Sequence, residues 1–164
     1  MATLFSFPNP VNELSARLVA GGVVLMAAAA LVFDQPWLLA PIAYGFVARV
    51  VTGPTLSPLA QLVTRVITPR LPLTPKYVAG PPKRFAQGIG AALTVTGAVL
   101  YFGLGLTGAA KVLLAAVVVA ATLESVFAFC IGCQVFGLLM RWHVIPDEVC
   151  ERCANIWLDR HAPV

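Results

Sequence analysis

The chain has 164 residues, 59% of them hydrophobic and only 11% charged, where an average soluble domain is about 25% charged. Its mean hydropathy is +0.87, and a soluble fold of this size lacks the interior to hide so much apolar surface, so lipid is the expected solvent for much of it. The net charge of +4 does not indicate a nucleic-acid binder, because the basic residues sit in connections between apolar blocks and not along one soluble face.

The expected architecture is all-α: a polytopic membrane protein of four transmembrane helices forming one domain over residues 1–164. Asn9-Pro10 reads as a helix N-cap followed by proline at the first helical position, with Glu13 in the first turn. The first span is placed at about residues 14–33, with Arg17 able to snorkel to the headgroups. No basic start precedes this block and further apolar blocks follow, so it reads as a retained helix and not a cleavable signal. Asp34-Gln35-Pro36 marks a tight connection, and residues 37–51 form the second block, with Trp37 as an interfacial anchor. This block is short. Arg49 ends it early and Pro41 lies inside it, so a tilted or kinked span and a re-entrant segment are both open readings.

Residues 52–85 form a long loop. Its stretch from Thr52 to Arg84 holds seven of the chain's 13 prolines, five basic residues and no acid. Within it Ser57-Pro58 looks like another cap, and Leu59, Leu62, Val63, Val66 and Ile67 recur at helical spacing, predicting a short amphipathic helix on the membrane surface. The third span, residues 86–108, is rich in glycine (Gly88, Gly90, Gly97, Gly103 and Gly105), which lets a neighbouring helix approach closely. The fourth, residues 111–139, is longer than a bilayer is thick, so its last turns are expected to emerge from it. A tail over residues 141–164 follows, with a short helix that Pro146 starts. Counting Lys and Arg on alternating sides leaves only Lys111 outside when both termini are cytoplasmic, which makes residues 52–85 and the tail cytoplasmic as well.

All four cysteines fall in the last fifth of the chain, as Cys130-Ile-Gly-Cys133 and Cys150-Glu-Arg-Cys153. Two thiols at i, i+3 on a helix can close a disulfide or face one metal ion, and spacing alone does not choose. On a redox reading one pair cycles between dithiol and disulfide, as part of a thiol-disulfide oxidoreductase system or a sulfur relay, and the other is its exchange partner. On a metal reading the four thiolates hold zinc, a stable staple in a reducing compartment, and the protein is a membrane anchor or assembly factor that docks a soluble partner. Cys130 is expected deep in an apolar helix, where burial blunts a thiol's reactivity. Glu124, an acid inside the fourth span, is expected either to take the proton that thiol chemistry releases or to hydrogen-bond a neighbouring helix. Lys83 and Arg84 at the entry to the third span are expected to meet anionic headgroups or a partner. His143 reads as an interfacial residue and a spare metal donor. A small transporter is a further reading, resting on Glu124 and the glycine-rich helix. A unit this small also suits a homodimer.

Several stretches together resemble a family. They are Pro8-Asn9-Pro10, Gly53-Pro54 with Ser57-Pro58, the run from Pro81 through Gln87, Leu123-Glu124, the Phe129 to Cys133 segment, and Ile145-Pro146 leading to the Cys150 pair. Across nearly its whole length the chain resembles the bacterial integral-membrane proteins classed as the domain of unknown function 4395 family. The resemblance implies a bacterial inner membrane, a thiol or sulfur context, and a thioredoxin-like or sulfurtransferase protein as partner. It singles out Lys83, Arg84, Phe85, Glu124, Cys130 and Cys133, and brings no established activity.

Overall fold

The computed structural model describes residue 7 and residues 9–146. Cys150 and Cys153, and the short tail helix expected after Pro146, lie outside the described residues. The rest is a bundle of helices: α1 (Glu13–Val32), α2 (Leu39–Thr52) preceded by a 3-10 turn (Pro36–Leu38), α3 (Pro58–Leu62), α4 (Gly80–Ala98), α5 (Thr107–Phe127) and α6 (Ile131–Arg141). A π-helical turn at Val63–Ile67 prolongs α3, and another at Val99–Gly103 prolongs α4. Among the described residues three helices are long and apolar enough to cross a membrane: Glu13–Val32, with 20 residues, Gly80–Gly103, with 24, and Thr107–Phe127, with 21. Pro36–Thr52 and Ile131–Arg141 are apolar but shorter.

The expected all-α class is found, with two changes at its ends. Asn12, and not Asn9, caps α1: its Oδ1 accepts from the backbone N–H groups of Leu14 at 3.0 Å and Ser15 at 3.4 Å, which leaves Glu13 in the first turn as expected. Asn9 instead serves α4, its Oδ1 accepting from the Gly80 N–H at 3.1 Å. A two-residue antiparallel ribbon pairs Val11 with Val78 and Asn12 with Tyr77, so the N-termini of α1 and α4 are fastened at one end of the bundle. The larger change is in the expected fourth span, residues 111–139, which is not one helix. It stops at Phe127, passes through Ala128 in a left-handed conformation (φ 54°), and restarts as α6.

The core follows from the spacing of small residues. Ala20, Val23, Ala27 and Ala30 make one face of α1 at i, i+3, i+7, i+10 and bury against Leu114, Val117 and Ala121 of α5 and Leu39, Ile42 and Phe46 of α2. The closest helix pairings are α1 with α5 and α2 with α4. The expected amphipathic helix is present as α3 with its π turn, and Ala60 and Val63 pack beneath Val19 of α1. Pro41 falls in the first turn of α2, where no intrahelical bond is lost, so it does not kink the helix. The outward faces stay apolar: Leu25, Val99, Phe102, Val112, Val119 and Val126 are exposed, a surface suited to lipid.

Helix α6 returns along α4. Gly132 is buried against Ala86, and a Cβ there would stand 2.5 Å from the Ala86 Cβ and 2.6 Å from its Cα. Phe136 and Met140 then pack on Phe85, with the Phe85 and Phe136 ring centroids 5.6 Å apart. Gly132→Ala is therefore expected to push α6 off α4 and destabilise the protein by about 1–3 kcal/mol. Thermal unfolding in detergent measures it. The compensating Gly132→Ala/Ala86→Gly pair recovers much of the loss, whereas a single variant that melts like the wild type rules the close contact out.

Candidate functional site

Among the described residues the buried charged groups, Arg49 and Lys83 with the nearly buried Glu124, lie toward the end where α1 and α4 begin and α5 stops. Lys83 projects from the first turn of α4 and Glu124 from the last turn of α5. Lys83 Nζ donates to Glu124 Oε1 at 2.6 Å, with only 10% and 13% of their side chains exposed. This corrects the expectation that Lys83 meets headgroups: its charge is turned inward, because Glu124 is an acid in an apolar helix and needs a cation. Arg84 stays on the outside, its Nε donating to the Val50 carbonyl at 2.9 Å near the C-terminus of α2, where a cation suits the helix dipole.

The dithiol sits beside this pair. The N–H groups of Ala128 and Phe129 both turn back to the Leu123 carbonyl, closing α5. Arg17 completes the stop, donating from Nε to the Ser125 carbonyl and from a terminal nitrogen to the Val126 carbonyl, both at 3.1 Å. A cation at a helix C-terminus is favourable, and Arg17, expected at the headgroups, thus also caps α5. The break makes Cys130 the N-cap residue of α6, with Cys133 one turn in. Cys130 is buried, Cys133 is half-buried, and both are free thiols. Cys130 is buried as expected, but it caps α6 and does not lie within a continuous helix. Both thiols lie outside the three long helices. A hydrogen bond with Cys133 lowers Cys130 below the usual thiol range, helped by the charge of Lys83 and opposed by burial and Glu124. The same hydrogen bond, with burial, pushes Cys133 up. The N-terminus of α6 acts in the same sense on Cys130.

A cavity of about 100 Å³ opens inside the bundle next to the dithiol, lined mostly by apolar side chains of α1, α2, α4 and α5 but also by Arg49, Gln87, Glu124 and Cys130. Arg49 is a residue that reading the sequence missed, beyond noting that it shortens the second block. It is 6% exposed, donates from Nε to Gln87 Oε1 at 2.8 Å and from Nη1 to Ser57 Oγ at 3.2 Å, and lies 4.5 Å over the Phe46 ring. The signal was available, since an arginine inside an apolar block is a candidate site residue.

With the geometry in place, the chain matches the family described as Domain of unknown function (DUF4395) over residues 11–141. The chain belongs to that family. No curated protein and no solved structure matches it. The matched region contains Arg49, Lys83, Glu124, Cys130 and Cys133 and stops short of Cys150 and Cys153. Among the described residues no group of three His, Cys, Asp or Glu could hold a metal ion, and His143 is exposed just beyond the end of α6, apart from the dithiol's cavity.

The ion pair generates a test. Lys83→Met or Glu124→Leu alone strands a buried charge and is expected to cost about 3–5 kcal/mol, whereas Lys83→Met/Glu124→Leu together cost less than either. A double-mutant cycle on thermal unfolding checks it, and strictly additive losses would remove the pair from the account.

Proposed function

We propose that this protein is a membrane-embedded dithiol module that exchanges electrons with a soluble partner by thiol-disulfide exchange. The observation that carries the reading is the placement of Cys130 at the N-cap of α6, with the more exposed Cys133 one turn later. The two sulfurs then have different tasks. Cys130 is the better leaving group, being the more acidic thiol, and Cys133 is the sulfur a partner reaches.

In the oxidised module, a partner thiolate attacks Cys133 Sγ. The Cys133–Cys130 bond breaks, Cys130 leaves as a thiolate, and a mixed disulfide joins Cys133 to the partner. The partner's second thiol loses its proton and attacks the partner sulfur of that bond. Cys133 is released and takes up a proton, so the module ends as a dithiol and the partner as a disulfide, two electrons having moved. The reverse sequence oxidises the module. A thioredoxin-like protein, as the family resemblance implies, has the required pair of thiols. Glu124, held by Lys83 beside the thiols, is placed to handle the proton, and Cys150 and Cys153 are the candidate second pair of the relay.

The roles are asymmetric, and so is the test. Cys130→Ser is expected to accumulate a mixed disulfide at Cys133, because the thiol that would resolve it is gone; Cys133→Ser leaves only the buried Cys130 and yields far less adduct. Non-reducing gels with mass-spectrometric mapping read both. Adduct mainly on Cys130 would reverse the assignment, and a wild-type dithiol that never changes oxidation state in cells under reductive and oxidative challenge would end it. Metal analysis of the same sample covers the rival reading: one zinc per chain masking all four thiols replaces exchange by a zinc-stapled anchor.

The same proposal places the protein in a bacterial inner membrane with both termini and the dithiol end cytoplasmic, as the crowding of Lys and Arg at one side suggests. An impermeant thiol reagent applied to intact cells then leaves Cys133 unlabelled and labels it once cells are opened. Labelling before opening overturns the orientation.

A further inference from the structure

Arg49 raises a question that neither the dithiol nor the ion pair answers. Its guanidinium is shielded from solvent, and its Nη2 has no hydrogen-bond partner, alone among the buried side-chain nitrogens and oxygens of the described residues. Its charge is also unmatched: no carboxylate of the described residues forms an ion pair with it, since the only nearby acid, Glu124, is held by Lys83. Gln87 and Ser57 supply neutral acceptors, which fix the guanidinium without neutralising it. A buried cation with an idle donor is unfavourable unless an anion reaches it.

The cavity that Arg49 lines has the size to admit one. At about 100 Å³ it is several times the ~10–15 Å³ that a single water needs by the same measure, so an ion of four or five heavy atoms fits. Its walls are otherwise apolar apart from Gln87, Glu124 and Cys130, which favours a small, partly desolvated ion over a large polar molecule. Arg49 is also held against movement, stacked on Phe46 and anchored on two sides, so its geometry is set before a ligand arrives. A guanidinium presents paired N–H donors that match an oxyanion.

We propose that the cavity between α1, α2, α4 and α5 binds a small inorganic oxyanion, of the size of sulfate, held by Arg49 and lying within the same chamber as Cys130. The inference stands on Arg49 and the cavity and does not depend on the dithiol reading. Glu124 limits the site to small anions that can keep to the Arg49 side, because its carboxylate repels them on the other.

The test uses the full chain in detergent micelles, with sodium sulfate as the probe at low millimolar concentration and chloride adjusted to constant ionic strength. Wild-type protein is expected to show a saturable rise in melting temperature, and alkylation of Cys130, followed by peptide mapping, is expected to slow several-fold as the chamber fills. Arg49→Gln weakens the half-saturating concentration at least tenfold, and Arg49→Lys weakens it less. No saturable shift and no slowing in the wild type overturns the proposal, as does an equal response in Arg49→Gln. Should Arg49→Gln fail to fold, the protection of Cys130 in the wild type decides alone, with chloride as the control.

Discussion

A carboxylate and an ammonium 2.6 Å apart in a bundle of apolar helices fix much of what surrounds them. Neither Glu124 nor Lys83 sits comfortably among apolar groups alone, and each satisfies the other, which favours the register of α4 against α5 that keeps them together. With that register set, the end of α5 and the start of α4 meet at one level. The close seat of Gly132 on Ala86 then lays α6 along the same turn of α4 that carries Lys83. The dithiol thus lies beside the one ion pair that joins α4 to α5 among the described residues.

The break between α5 and α6 is the second determinant, and it is made without glycine or proline. Ala128 adopts a left-handed conformation at a cost of about 1–2 kcal/mol for a residue with a Cβ. The two bonds from Arg17 to the Ser125 and Val126 carbonyls offset it, since hydrogen bonds from a charged donor are worth about 1.5–3 kcal/mol each. Arg17 comes from α1, more than a hundred residues away in sequence. The helix start that conditions Cys130 thus depends on tertiary structure and not on local preference.

That dependence explains what was legible in the sequence. The helical class and the short helix over Pro58–Ile67 were readable, and Glu124 and the Cys130 pair stood out, because hydropathy, spacing and the rarity of an acid in an apolar run are local properties. The stop at Phe127 was not. Residues 126–129 read Val-Phe-Ala-Phe, a continuous apolar helix by every local rule, and only Arg17 shows otherwise. Asn12 displaced Asn9 as the cap of α1 for a similar reason, since Asn9 is drawn to Gly80 across the ribbon. A lysine at the entry to an apolar helix points to the headgroups by charge alone, which says nothing of whether it faces inward. Arg49 reads as a boundary, since a boundary arginine and a buried one look identical until Gln87, Ser57 and Phe46 surround it in the fold.

Charge balance links the thiols to the cavity. The buried cluster holds two positive charges, Arg49 and Lys83, and one negative, Glu124, so with neutral thiols it carries a net charge of plus one, Arg17 and Arg84 lying outside it at the ends of α5 and α2. A thiolate on Cys130 makes it neutral. On the proposed chemistry, oxidation to a disulfide removes that negative charge and restores the excess, and an anion in the chamber is then the remaining way to balance Arg49. The anion should bind the oxidised module more tightly than the thiolate form, and linkage requires the converse: a bound anion favours the disulfide to the same degree. The two proposals need not stand together, but where both hold, their coupling follows from Coulomb's law in a chamber of low polarity and needs no movement of the helices.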